Sequence, residues 1–262
     1  MKKRYTIIIT GLLLFITATS CLKSLICVNG NGKTVTETRR SQSFTSIENT
    51  TSFEVIYRKA DTFGISIEAE SNIIDYIETN TDGENLEIST LPGTVCLNYS
   101  VRPIIRISSP DLTEAYNSGS GDMIIDYLSG DEVFVRLTGS GDISIDRIDA
   151  DHLDAGDTGS GNLKISEASC TTSDLKVSGS GDITISGDCG SAHLKSTGSG
   201  NVYGNNLYTV STSAITTGSG SIYVRVEEYL NGLLSGSGNI YYRGNPEIDQ
   251  TATGSGRIIR QK

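Results

Sequence analysis

A parallel β-helix is the fold class that this sequence predicts, on three observations. The tripeptide Gly-Ser-Gly recurs with its first glycine at Gly119, Gly139, Gly159, Gly179, Gly198, Gly218, Gly236 and Gly254, in steps of 20, 20, 20, 19, 20, 18 and 18 residues. A near-constant period of this size marks stacked units, none of which can bury its apolar face alone. Around the tripeptide, apolar residues and glycines alternate with polar ones, as in Leu175-Lys-Val177-Ser-Gly179-Ser-Gly181-Asp-Ile183-Thr-Ile185. That is the period of a strand and not of a helix. Finally, both glycines share the inward parity of Leu175, Val177, Ile183 and Ile185, while Ser180 and Asp182 face out. Glycine on an inner face leaves room for a sharp bend or for another backbone to approach closely. Gly-Ser-Gly therefore reads as a corner between two strands of an all-β solenoid with about 18–20 residues per coil.

Composition agrees with this fold and limits the partners. Of 262 residues, 36% are hydrophobic, 29 are glycine and none is tryptophan. A coil needs few inward side chains and a tight corner, which accounts for both excess and deficit. The net charge of -10 argues against nucleic acid or an anionic lipid surface as the main partner. A divalent cation or a basic partner stays open, and no cofactor is expected.

Residues 1–20 read as a signal peptide. Lys2, Lys3 and Arg4 precede an apolar run from Ile7 to Ile16, which ends in Ala18-Thr19-Ser20-Cys21. The run is short against the roughly 20 apolar residues of a membrane span. Its end resembles a bacterial lipobox, with Ala18 where leucine is commoner, which implies cleavage before Cys21 and lipidation of its thiol. A multiply acylated cysteine holds a protein firmly in a bilayer. Residues 21–42 are read as lipid anchor and polar linker.

Residues 43–262 form one domain. Strand signals begin with Phe53, Val55 and Tyr57, continue at Ile65, Ile67 and Ala69, and recur at Leu86 and Ile88 after the turn pair Asp82-Gly83. A further strand holds Ile105 and Ile107, before Ser109-Pro110. Asn72-Ile-Ile-Asp-Tyr-Ile77 suits one helical turn with Asn72 as its cap. Terminal repeats of a solenoid must cover the open end of the core. Residues 43–112 are therefore irregular first coils and a β cap, and 113–262 the regular repeats.

The ordered set Phe44, Ile47, Phe53-Glu-Val55, Ile65-Ser-Ile67, Asn72-Ile-Ile74, Asp82-Gly83, Leu86-Glu-Ile88, Ile105-Arg-Ile107, Ser109-Pro110 and Leu112, followed by repeated Gly-Ser-Gly-Asp/Asn-Ile, resembles the bacterial family called putative auto-transporter adhesin, head GIN domain. The resemblance covers residues 43 to 260. It implies a β-helix-like fold, an outer-membrane lipoprotein on the periplasmic or cell-surface face, and a role in adhesion. It also implies trimers, with the Gly-Ser-Gly turns from Gly119 onward near a shared polar centre. Arg257 departs from the Asp or Asn usual after the tripeptide, and Ser221 does so mildly.

Two vertical ladders follow from stacking. One is Asp122, Asp142, Asn162, Asp182, Asn201, Ser221, Asn239 and Arg257; the other is Ser120, Ser140, Ser160, Ser180, Ser199, Ser219, Ser237 and Ser255. Like charges on neighbouring strands repel, so Asp122 and Asp142 need an offset. A structural ladder of stacked amides is the reading taken, with calcium at Asp122, Asp142 and Asp182 as the alternative. The serines, small and flanked by glycine, make a flat strip; Ser120, Ser140, Ser160, Ser180 and Ser199 are the candidate self-association surface.

Cys170 and Cys189 each lie nine residues before a tripeptide, which makes them vertical neighbours. A disulfide and a pair of small buried thiols fit equally. Asp146, Asp149, Asp151, Asp154 and Asp157 surround His152, but carboxylates alone do not make the acid-base pair of a glycosidase. His152 and His193 stand seven and five residues before the next tripeptide, so a shared histidine site is not expected. Tyr203, Tyr208, Tyr223, Tyr229, Tyr241 and Tyr242 suit sugar stacking or an interface as well as they suit strand packing. The sequence thus predicts a lipid-anchored envelope protein without catalytic residues that binds or adheres, its ligand a glycan or an envelope protein. A polysaccharide-degrading β-helix enzyme and a self-assembling scaffold are the alternatives.

Overall fold

The computed structural model describes residues 27–94 and 96–262; the segment read from the sequence as a signal peptide, and Cys21, lie outside them. Nine short strands build the N-terminal part: β1 (Cys27–Asn29), β2 (Thr34–Arg39), β3 (Ser46–Asn49), β4 (Glu54–Lys59), β5 (Gly64–Glu70), β6 (Ile77–Asp82), β7 (Asn85–Thr90), β8 (Cys96–Asn98) and β9 (Ile104–Ser109). The regular part follows as β10 (Glu114–Asn117), β11 (Met123–Leu137), β12 (Ile143–Asp157), β13 (Leu163–Val177), β14 (Ile183–Ser196), β15 (Val202–Thr216) and β16 (Ile222–Leu234). It ends with β17 (Ile240–Arg243), β18 (Glu247–Ala252) and β19 (Ile258–Arg260).

From β10 onward every pairing between coils is parallel, and from β10 to β13 each paired residue sits over its equivalent in the coil before, as in Ile143↔Leu163 and Asp157↔Val177. This is the parallel β-helix that the alternation predicts. Inward positions are fully buried: Leu175, Val177 and Ile183 are 0% exposed, and each such side chain contributes about 1.5–3 kcal/mol. Burial alternates along β12 until Asp146 and Arg147, which are both exposed, and slips again near Asp151. Each slip marks a corner, so a coil turns at two places besides Gly-Ser-Gly.

The N-terminal cap is mixed. β2 pairs antiparallel with β5, β5 with β9, and β6 with β7, while β3 and β4 lie parallel beneath β10 and β11. Antiparallel strands end the stack because they cannot template another coil in register. One helical turn forms as expected, a 3-10 turn at Ile74–Tyr76, but its N-cap is Ile73 and no side chain caps it. Asn72 instead accepts from the Asn31 amide at 3.0 Å and donates to the Asn29 carbonyl at 2.8 Å.

These bonds belong to a correction. The stretch read as linker, 21–42, contains β1 and β2. Thr34, Val35, Thr36 and Thr38 are β-branched and suit an outer strand over β5. β1 is joined to β8 by the Cys27–Cys96 disulfide, with Cα atoms 4.6 Å apart. Beside it the buried Glu70 carboxylate accepts from the Gly32 amide at 2.9 Å.

Candidate functional site

The corner strip is built by backbone contact between coils. The amide of Ser140 donates to Gly119 O at 3.2 Å, that of Ser160 to Gly139 O at 3.1 Å and that of Ser180 to Gly159 O at 3.0 Å. A Cβ at Gly139, Gly141, Gly159 or Gly161 would collide with a glycine carbonyl of the coil before. These glycines have negative φ; they are needed for close approach and not for a left-handed turn. The first coil proves the point. Its corner is Thr51-Ser52-Phe53, and the strands beneath it, β7 and β9, are not joined by a matching corner. With no glycine carbonyl below, Phe53 keeps its side chain, which packs 6.1 Å from the Tyr99 ring.

Ser120, Ser140, Ser160, Ser180 and Ser199 are exposed along this strip. The ladder beside them bonds from side chain to backbone. Asp122 Oδ1 accepts from the Asp142 amide (3.0 Å), Asp142 from Asn162 (2.7 Å), Asn162 from Asp182 (3.2 Å) and Asp182 from Asn201 (2.7 Å). Asn201 then accepts from Ser221 (2.9 Å), Ser221 Oγ from Asn239 (3.1 Å) and Asn239 from Arg257 (2.9 Å). The requirement is a side-chain oxygen near the backbone, which Asp, Asn and Ser all provide. Arg257 has no coil above it to serve. The carboxylates of Asp122 and Asp142 are offset by these amides and by Arg102, whose Nη1 lies 2.9 Å from Asp122 Oδ2. The described residues contain no group of three or more His, Cys, Asp or Glu that could hold a metal ion, Asp122, Asp142 and Asp182 included.

Behind the strip runs an inward column. Asn49 Nδ2 donates to Phe53 O at 3.4 Å, Asn117 Nδ2 to Gly121 O at 2.7 Å, Ser196 Oγ to Gly200 O at 2.9 Å and Thr216 Oγ1 to Gly220 O at 2.9 Å. Each strap spans the corner from inside. Asp157 occupies this column, 0% exposed, and its Oδ1 accepts from the Gly159 amide at 2.8 Å. Burial pushes its pKa up to about 6, the Gly159 amide opposes that, and Asp182 and Asp142 add to the rise.

The acidic stretch disperses over different faces. Asp149 is held below the usual carboxylate range by Arg147 and then by the Tyr127 hydroxyl, which donates at 2.7 Å. Asp154 pairs with Arg136 at 2.6 Å, Asp146 lies 3.9 Å from Arg58, and Asp157 turns inward. His152 and His193 line one shallow groove of about 480 Å3, with Asp174 3.6 Å from His152 Nε2 and in register beside His193. Columns two residues apart face the same side of a coil, which unequal distances to the tripeptide obscure.

Three of the tyrosines form a stack: the Tyr203 and Tyr223 rings are 5.0 Å apart and those of Tyr223 and Tyr241 4.7 Å. Ring faces are used against one another, so this ladder presents edges to its surroundings and not a stacking platform for sugar. Cys170 and Cys189 are register partners joined by a disulfide, with Cα atoms 4.6 Å apart. They line a cavity with Tyr208, Val210 and Arg225, which the sequence does not disclose because its members come from several coils. Asp157 was legible: aligning the repeats places it in the inward column with Asn117 and Val177.

The family described as "Putative auto-transporter adhesin, head GIN domain" matches residues 43–172 and 156–246. No curated protein matches the chain. Among solved structures, a putative adhesin from Parabacteroides merdae superposes with a TM-score of 0.85 at 23% identity, over 90% of this chain and 99% of that one. A putative lipid binding protein from Parabacteroides distasonis gives 0.80 at 26% identity, over 90% and 99%. A putative adhesin from the same species gives 0.78 at 19%, over 89% and 99%.

Proposed function

The chain belongs to the family of putative auto-transporter adhesins with a head GIN domain, and on that premise we propose that it is an adhesive binding module of the cell envelope and not an enzyme. Lipid on Cys21 tethers it to the outer membrane. Copies associate, as trimers, through the strip of Ser120, Ser140, Ser160, Ser180 and Ser199, and the remaining faces meet a glycan or an envelope protein.

The observation that carries this reading is the strip itself. Continued to Ser255, the serine ladder makes seven steps of about 4.8 Å, roughly 34 Å in all. Its serine side chains are exposed, and glycine on either side keeps neighbouring bulk away. Such a surface suits many small contacts and bridging waters rather than one aromatic anchor. The carboxylates that a glycosidase would pair are instead each engaged with a separate partner, Asp149 with Arg147 and Asp154 with Arg136.

Incubating the full chain with arrays of glycans and of envelope proteins tests the proposal. Retention of a ligand without its breakdown is the expected result. Release of fragments from an acidic polysaccharide would replace adhesion by catalysis, and assembly without any captured ligand would leave only a scaffold.

A further inference from the structure

Coils stacked at about 4.8 Å leave little room for a cavity, yet one of about 710 Å3 opens beside Tyr208, Thr209 and Val210. Its origin lies in the backbone. Gly187 and Gly244 have φ of +124° and +107°, and a Cβ at either would collide with the carbonyl of Ala168 or Val226. Two coils separate these glycines, and one of them, β15, carries extra residues against both of its neighbours, β14 and β16, in the stretch from Tyr203 to Tyr208.

The lining is mixed. Tyr208 and Val210 are 48% and 43% exposed, and the Cys170–Cys189 disulfide adds apolar surface. Arg225 lies with Cζ 4.0 Å from the Tyr208 ring centroid and donates to its hydroxyl at 3.0 Å. Its partners among the described residues are thus an aromatic ring and a neutral hydroxyl. On a chain with 31 acidic against 21 basic residues, this guanidinium is held in place without a carboxylate. Asp188, Glu227 and Asn245 bring acceptors to the same cavity.

We infer that this cavity binds a carboxylated sugar residue of a glycan. Arg225 pairs with the sugar carboxylate, and a planar guanidinium pre-positioned on an aromatic ring loses little freedom in doing so. Sugar hydroxyls donate to Asp188, Glu227 and Asn245. Tyr208 and Val210 cover the C–H surface of the ring, and the volume is that of small-ligand pockets. A phosphate headgroup fits less well, since the phosphate has no hydroxyl protons to offer Asp188 and Glu227.

The inference rests on the adhesive role proposed above. Calorimetric titration of the full chain with galacturonate oligosaccharides, and with neutral galactose oligosaccharides of equal length, tests it. The acidic sugar binds at least about tenfold tighter, and added salt weakens it. Arg225→Gln removes the preference, Arg225→Lys retains part of it, and Lys164→Gln, an exposed cation on another face, changes nothing. Melting curves confirm that the variants fold. Equal binding of both sugars, a preference that survives Arg225→Gln, or displacement by anionic phospholipid vesicles overturns the assignment. If neutral glycans alone bind, the adhesive reading stands and this site falls; silence toward every glycan and envelope protein removes both.

Discussion

Asp157 stands two coils above Asn117 in the same inward column, and an ionised Asp157 lacks the N–H donors that the Asn117 amide carries. Asn117 straps its corner by donating to Gly121 O, whereas Asp157 Oδ2 is buried without a partner. A proton on Oδ2 supplies the missing donor.

The stability of the domain therefore depends on pH at this residue. The folded-state pKa of about 6 lies above the usual 3.8, so the folded state binds the extra proton between these values. Stability is then greatest below about pH 4 for this group and falls as pH rises to 6, by at most about 3 kcal/mol. Asp157→Asn keeps a donor at every pH. Melting temperatures from pH 4 to 7.5 should converge at the acid end and diverge in favour of the variant above pH 6; parallel curves would refute the buried acid.

Close approach of carbonyls makes the corner glycines intolerant and the serines tolerant. Gly159→Ala drives a methyl group into Gly139 O and should cost about 3 kcal/mol or more. Ser160→Ala, one residue on and exposed, should stay within about 0.5 kcal/mol. Denaturant titration of both variants decides this, and equal losses would contradict the corner geometry.

The ladder makes a graded prediction. Asn162→Leu deprives the Asp182 amide of its acceptor, at a cost of about 1 kcal/mol. Arg257→Leu deprives no amide, and its midpoint in urea should match the wild type. Loss of stability at Arg257 comparable with that at Asn162 would show that the side chains act otherwise than as acceptors.

Self-association through the strip is checked by bulk. Ser160→Arg with Ser180→Arg adds two long side chains to exposed positions, so the fold should persist while assembly is lost. Sedimentation of the full chain in detergent reports both. A wild-type monomer at tens of micromolar, or an oligomer indifferent to the double substitution, removes the strip as the interface.

The coil was legible because one interaction repeats: the need of Gly139 to clear Gly119 O recurs in every coil and stamps a period on the sequence. Period-2 alternation then gave the inward side of Leu175, Val177 and Ile183. What did not repeat was hidden. Cys27 and Cys96 are 69 residues apart in a cap without periodicity, and Thr34 to Arg39, short and polar, look like linker until β5 is there to pair with. The cavity at Arg225 depends on bulges between Gly204 and Ser211, which are departures from the register that sequence spacing takes as fixed. The role of the Asp/Asn ladder was half visible: stacking was clear, but the donor that every rung shares is the backbone amide of the next coil, with the next side chain added only at Asn162 and Asn201.

The bonds that join one corner to the next repeat from coil to coil. Asp142 serves Asn162 as Asp182 serves Asn201, and Gly119 receives Ser140 as Gly139 receives Ser160. A whole coil removed in frame, or copied beside itself, leaves each of these joints complete, since the new neighbours present the same groups. The reach of the molecule can thus change one coil at a time without a new kind of contact at the corner. The cap, and the two coils that the Cys170–Cys189 disulfide ties together, are barred from such exchange.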